Sequence, residues 1–72
     1  MSKFERIRSL REDKDLTQQQ LADHLFVTQR TYSRYENGEH SVPVDILIEL
    51  AKFHEVSVDY ILGLTSNPKR NT

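Results

Sequence analysis

Four residues near the middle of the chain carry side chains suited to recognising flat, hydrogen-bonding partners: Gln29, Arg30, Ser33 and Arg34. An arginine fork pairs with the O6 and N7 edge of guanine, and a glutamine amide makes the matching pair with adenine. Gln29 and Arg30 follow Thr28 directly, and Arg34 stands one turn later. If Thr28 caps a helix, these side chains project from its N-terminal half. Thr17 and Gln18 open the preceding segment, where the free N–H groups of a helix start can receive a phosphate. Other chemistries fit poorly. His24, His40 and His54 fall on three separate segments, with no cysteine and no histidine pair one turn apart, so a metal set is not expected. No phosphate-cradling glycine motif or nucleophile elbow is present. Catalysis, a cofactor and a small-molecule ligand are therefore not expected.

The elements that must position these residues are helical. Ser2-Lys3-Phe4-Glu5 fits a capping box, and Phe4, Ile7 and Leu10 form an apolar stripe behind it. Arg6, Arg8 and Arg11 lie off that stripe, and Arg6 and Arg8 read as a solvated face rather than a phosphate clamp. Glu12-Asp13-Lys14-Asp15 ends the helix. Thr17-Gln18-Gln19-Gln20 is a second capping box, with Leu21, Ala22 and Leu25 as the buried face. Phe26-Val27 is the turn. Thr28 caps the third helix, with Val27 and Tyr32 as a hydrophobic staple around that cap, Tyr32 and Tyr35 inward, and Gly38 closing it in the left-handed conformation. Glu39-His40-Ser41-Val42 is a loop. Pro43 fits the first position of a fourth helix. Asp45 suits that helix's positive end, and Ile46, Leu47, Leu50, Ala51 and Phe53 are its apolar residues. Val56 and Ile61 staple a fifth helix capped by Ser57 and ended by Gly63. The expected product is an all-α bundle of five short helices over residues 1–64, followed by a flexible polar tail at 65–72.

Composition bounds the rest. Seventy-two residues allow one domain. A chain this short buries only about 60% of its unfolded surface. No cysteine is present, which excludes disulfides and fits a reducing compartment. The N-terminus lacks an apolar run, so no signal peptide is expected, and no stretch approaches the roughly 20 apolar residues of a membrane span. A cytoplasmic location follows as an expectation. Net charge is −1, with ten Lys and Arg against eleven Asp and Glu. Residues 1–38 carry seven basic against six acidic side chains, and residues 39–72 three against five. Nucleic-acid affinity would have to come from placed side chains and helix N-termini, not from a global field.

Taken in order, Leu16-Thr17-Gln18, Leu21-Ala22, Val27-Thr28-Gln29, Ser33-Arg34-Tyr35-Glu36-Asn37-Gly38, Pro43, Leu47, Leu50-Ala51 and Val56-Ser57-Val58-Asp59-Tyr60-Ile61-Leu62-Gly63 resemble the Cro/phage-repressor (XRE-like) helix-turn-helix family. The resemblance covers about residues 4–64. It implies a lambda-repressor-like domain that docks its third helix in the major groove of double-stranded DNA. By position, Gln29, Arg30 and Arg34 match base-reading residues, with Ser33 on the same face. Thr17 and Gln18 match phosphate contacts. Thr28 matches a cap that also touches phosphate, and Asn37 a backbone N–H contact to phosphate. Arg11 and Glu36 resemble an ion pair tying the first helix to the third.

The chain departs from that pattern at several points. Phe26 stands where the family has glycine, a costly place for a bulky residue if φ is positive. Tyr32 replaces Ile or Val, so its hydroxyl needs a partner or solvent. His54 takes an apolar position, and Glu55 one that favours Gly or Asn. Glu39-His40-Ser41-Val42 lacks the loop cations of many relatives, which predicts modest affinity and a shallow salt dependence. One domain covers few base pairs, so a homodimer on DNA is expected. Val58, Ile61 and Leu64, with Tyr60 nearby, are the candidate dimer surface, while simple packing on the fourth helix is the competing reading for Val56 and Ile61. The functional expectation is a DNA-binding transcriptional regulator of repressor type. The alternative is an antitoxin-like or antirepressor-like protein-interaction module with weak DNA binding.

Overall fold

A computed structural model describes residues 5–67 and residue 69. The Ser2 capping box and the place of Phe4 on the first apolar stripe lie outside the described residues, as do residues 68 and 70–72 of the expected tail. Among the described residues five helices follow one another: α1 (Glu5–Asp13), α2 (Gln18–Leu25), α3 (Gln29–Asn37), α4 (Val44–His54) and α5 (Val58–Ile61). No strand occurs among the described residues.

The starts of α2, α3 and α5 are fixed by their caps. Thr17 Oγ1 accepts from the Gln20 N–H at 3.1 Å, and the Thr17 N–H donates to Gln20 Oε1 at 2.8 Å, a complete capping box. Thr28 Oγ1 accepts from the Thr31 N–H at 3.1 Å, and Ser57 Oγ from the Tyr60 N–H at 3.0 Å. α4 starts differently from expectation. Pro43 is its cap rather than its first residue, in the extended conformation that lies just outside a helix.

The core joins all five helices. Ile7 of α1, Leu21, Ala22 and Leu25 of α2, Tyr32 and Tyr35 of α3, Leu47, Leu50 and Ala51 of α4, and Ile61 of α5 are buried together. Val42, read as loop, is buried with them and anchors the α3–α4 connection to the core. Ile61 is 0% exposed, so it belongs to this core and not to an outer dimer surface. That is the outcome expected of its staple with Val56, which is also buried.

Among the described residues, three other than glycine have positive φ: Asp15 (56°), Phe26 (58°) and Glu55 (57°). Phe26 and Glu55 are the departures singled out in the sequence, and both take the left-handed backbone without glycine. Asp15, between α1 and α2, carries no such signal in the sequence.

Arg6 does not lie on a solvated face. Its Nη1 donates to the carbonyls of Tyr60 and Thr65, both at 2.7 Å, and its guanidinium sits 4.2 Å from the centre of the Tyr60 ring. It clamps α1 to the last helix and to Thr65, the first residue of the expected tail. The reason is geometric: a long guanidinium at the rim of α1 reaches two carbonyls at and beyond the end of α5, using the second lone pair of the Tyr60 oxygen beside its 3.1 Å bond from the Gly63 N–H.

Candidate nucleic-acid interface

The α2–α3 corner positions the candidate residues. α2 ends at Phe26, whose left-handed backbone turns the chain, and the Val27 N–H closes back on the Ala22 carbonyl at 3.0 Å. α3 therefore starts directly after the corner. Tyr32 and Tyr35 face the core from α3, while Gln29 and Arg30 are exposed and Ser33 and Arg34 partly so. These four side chains share the face of α3 away from the core, as their spacing required. Arg30 makes no hydrogen bond or ion pair with the described residues.

The start of α2 lies beside α3. Gln29 Nε2 donates to Gln18 Oε1 at a long 3.4 Å, and Gln18 Nε2 donates to Glu36 Oε1 at 3.1 Å. Gln18 thus bridges to α3 with both ends of its amide, and what it leaves for an anion is its backbone N–H in the first turn of α2 and the second hydrogen of its amide nitrogen. Thr17 uses its N–H and one hydroxyl lone pair in the capping box, which leaves the hydroxyl proton. The Thr28 hydroxyl caps α3 and donates to Thr31 Oγ1 at 2.9 Å. Asn37 lies in the last turn of α3, where its own N–H belongs to the helical ladder. Its Oδ1 accepts from Arg8 Nη2 at 2.9 Å, so its side-chain NH2 is the donor that remains.

Glu36 holds this arrangement rigid. It is 1% exposed, and its carboxylate accepts from Arg11 Nε at 2.7 Å and Nη2 at 3.1 Å. This is the ion pair foreseen between α1 and α3, in bidentate form. Gln18 Nε2 and Arg8 Nε (3.4 Å) also approach it. Burial alone would raise the Glu36 pKa, but the hydrogen bond from Arg11, the adjacent Tyr32 hydroxyl and the bond from Gln18 hold it below the usual carboxylate value. The hydrogen bond to Glu36 likewise raises the Arg11 pKa, against its own desolvation. Tyr32 answers the question posed by its hydroxyl only in part. The oxygen is buried near Glu36 and makes no well-formed hydrogen bond to the described residues, and burial followed by that carboxylate raises its pKa.

Arg8 is solvent-exposed, as its place off the apolar stripe predicts, and from there it also ties α1 to Glu36 and Asn37. The signal was available, because Arg8 and Arg11 stand three apart on one face of α1. Arg34 is also engaged by the loop that follows α3. Its Nη1 donates to His40 Nε2 at 3.2 Å, and its Nε lies 3.7 Å from Glu39 Oε2. The loop without cations therefore turns back on α3.

The candidate dimer residues do not all share one surface. Val58 and Tyr60 are partly buried against the core, Leu64 is 74% exposed, and Ile61 is interior. Val44 and Ile48, one turn apart on α4, are further exposed apolar residues that the sequence reading did not single out. No helix of the described residues is long and apolar enough to cross a membrane.

The helix-turn-helix family model matches residues 7–61. A relative from Bacillus subtilis (strain 168), the uncharacterized HTH-type transcriptional regulator YobD, is 44% identical over 64 residues, which are 89% of this chain and 57% of that protein. The transcriptional repressor RstR of the cryptic phage CTXphi from Vibrio cholerae is 38% identical over 53 residues, 74% of this chain and 48% of the relative. Among solved structures, the P22 c2 repressor in complex with a synthetic operator superposes with a TM-score of 0.78 at 29% identity, covering 86% of this chain and 94% of that one. The chain belongs to the helix-turn-helix family, of the Cro/phage-repressor (XRE-type) branch. It spans about half the length of the curated relatives it matches.

Proposed function

We propose that this domain is a sequence-specific double-stranded DNA-binding unit of a transcriptional regulator, most simply a repressor that blocks promoter access. The single observation that carries the reading is the outer face of α3. Gln29, Arg30, Ser33 and Arg34 stand together on it, directly after a capped corner, while two buried tyrosines and the Glu36 ion pair fix the helix from behind. α3 would enter the major groove, with Gln29, Arg30 and Arg34 toward base edges and Ser33 beside them. Thr17, the Gln18 backbone, Thr28 and the Asn37 amide would meet phosphates on either side. The fold match to an operator-bound repressor supports this docking.

A homodimer on an inverted repeat is the simplest way to reach useful specificity. Leu64, with Val58 and Tyr60, remains the proposed contact, without Ile61. Such a regulator would act in the cytoplasm. With no loop cations near α3, the salt dependence of binding would be shallow, since each phosphate contact adds roughly −0.9 to the log–log slope.

The test is selection of bound sequences from a random duplex pool, with wild type beside Arg30→Ala/Arg34→Ala and circular dichroism showing both folded. An inverted repeat enriched by wild type and lost by the variant is the expected result. If neither protein enriches a sequence at low salt, DNA reading by the isolated chain is wrong, and a protein partner becomes the leading function.

A further inference from the structure

The contacts of Arg34 say more than that it is available. A guanidinium offers two edges for bidentate pairing, one made of Nε and Nη2, the other of Nη1 and Nη2. In this structure each edge already has one donor facing the loop after α3. Nε faces the Glu39 carboxylate at 3.7 Å, and Nη1 donates to His40 Nε2 at 3.2 Å. The loop is well placed to do this. The Glu39 N–H donates to the Arg34 carbonyl at 3.0 Å and the His40 N–H reaches the same carbonyl at 3.4 Å, so both residues are folded back over the end of α3. A guanidinium has no acceptor, so His40 Nε2 must be the lone-pair nitrogen and the ring proton must sit on Nδ1.

We infer that His40, assisted by Glu39, is a specificity-determining residue that competes with DNA for Arg34. This rests on the reading of Arg34 as a base-contacting side chain. The competition has a definite consequence. Bidentate pairing with a guanine through Nε and Nη2 requires Arg34 to leave Glu39, and pairing through Nη1 and Nη2 sets the base against the nitrogen that already donates to His40. A duplex without the right base leaves Arg34 latched and gives up nothing. The loop therefore weakens specific binding selectively. The Glu39 contact is long and more than half exposed on the carboxylate side, so its local hold is weak. Its negative charge adds a second effect, repulsion of any phosphate backbone. His40 carries the selective part, because its imidazole is the group that accepts a hydrogen bond from Arg34.

The experiment uses the full chain and two duplexes, the best sequence from the selection and an unrelated one. Affinities are measured by fluorescence anisotropy for wild type, His40→Ala, Arg34→Ala and Arg34→Ala/His40→Ala, with thermal unfolding as a check on folding. His40→Ala is expected to tighten the selected duplex about three- to tenfold, the worth of one hydrogen bond to a charged donor in a partly exposed place, with no change on the unrelated duplex. In the Arg34→Ala background the same substitution is expected to do nothing. Glu39→Gln is expected to tighten both duplexes. A separate signature comes from 15N NMR of the free protein, where His40 should carry its proton on Nδ1 and lose that preference on adding the selected duplex.

Equal or weaker binding by His40→Ala, or the same gain without Arg34, overturns the competition. If Arg34→Ala leaves the selected duplex unaffected, the base-contact reading of Arg34 has failed and the competition falls with it. Loss on Arg34→Ala without gain on His40→Ala overturns the competition alone.

Discussion

The α2–α3 corner and the α4–α5 corner are built alike. The first runs Leu21-Ala22, then Leu25-Phe26-Val27-Thr28; the second runs Leu50-Ala51, then His54-Glu55-Val56-Ser57. Phe26 and Glu55 end their helices with nearly the same backbone, φ 58° and ψ 39° against φ 57° and ψ 42°. In each, the following valine N–H returns to the alanine carbonyl, Val27 to Ala22 and Val56 to Ala51, both at 3.0 Å. A hydroxyl cap then starts the next helix. The difference lies in what comes after and in one buried residue. α3 is nine residues long with polar forks on its outer face, whereas α5 has four residues and carries Asp59. Leu25 fills the core at the first corner, while His54 occupies the equivalent place at the second, buried with both ring nitrogens lacking partners among the described residues. One turn grammar thus makes both a helix with polar forks on its outer face and a short closing helix, and the outward side chains tell them apart.

α1 lashes each corner separately, and this gives the largest expected effect. Arg8 and Arg11 hold α3 through Glu36, while Arg6 holds α5 through the Tyr60 and Thr65 carbonyls. Glu36→Ala leaves Arg11 without its partner in a mostly buried setting, so it should cost about 3–5 kcal/mol of stability in urea unfolding. Arg6→Ala removes partly buried hydrogen bonds to neutral carbonyls and a cation–π contact, and should cost about 1–2 kcal/mol. Equal losses from the two substitutions would show that the first corner is not the more tightly held.

The second expected effect separates Leu25 from His54. Burial, with the charge of Lys14 and then His24 nearby, depresses the His54 pKa from 6.5 to about 4. The folded state therefore binds fewer protons than the unfolded state between those values. The stability tied to a neutral His54 is complete above pH 6.5 and is lost as pH falls toward 4, by up to about 3 kcal/mol at 1.36 kcal/mol per pKa unit. Glu36, held below its ordinary 4.5, supplies a different loss that begins only in more acidic solution. His54→Leu should flatten the profile through the first window, keep the acid limb, and add about 1 kcal/mol at pH 7 by removing unpartnered ring nitrogens. Wild-type stability that does not change between pH 6.5 and 4 would count against a neutral buried His54.

Much of this was legible before any coordinates, for a physical reason. Caps, staples and glycine ends are local, so Thr17, Thr28, Ser57 and Gly38 announced themselves by residue type and spacing, whereas Phe26 and Glu55 stood out only as departures from the family pattern. The Arg11–Glu36 pair was legible through family resemblance. What escaped was long-range and made by flexible side chains. Arg6 reaches a carbonyl 59 residues away, and no local pattern encodes that distance. His40 and Glu39 were read for the phosphate contacts they could not make, and their grip on Arg34 depends on how the loop folds over α3. Pro43 slipped by one position because a proline suits both the cap and the first turn. Ile61 was ambiguous because an apolar residue at helical spacing serves a core or an interface equally well.

The smallest effects test whether the two corners are equivalent. Thr28→Ala and Ser57→Ala each remove one cap bond and should each cost about 1 kcal/mol. Under the proposed function, Thr28→Ala alone should also weaken DNA binding, because only α3 would present a reading face. The left-handed residues sharpen the comparison further. A side chain at positive φ costs about 1–2 kcal/mol, and glycine gives part of that relief back as unfolded-chain entropy. Phe26→Gly and Glu55→Gly should therefore each stabilise the fold by about 0.5–1 kcal/mol, and the pair additively, since each corner closes its own turn. Phe26 is 95% exposed, so no core packing offsets its gain. If Phe26→Gly instead lowered the melting temperature while Glu55→Gly raised it, the aromatic ring would have to be stabilising the first corner through a contact the second lacks. The two corners would then share a backbone but not an energetic design.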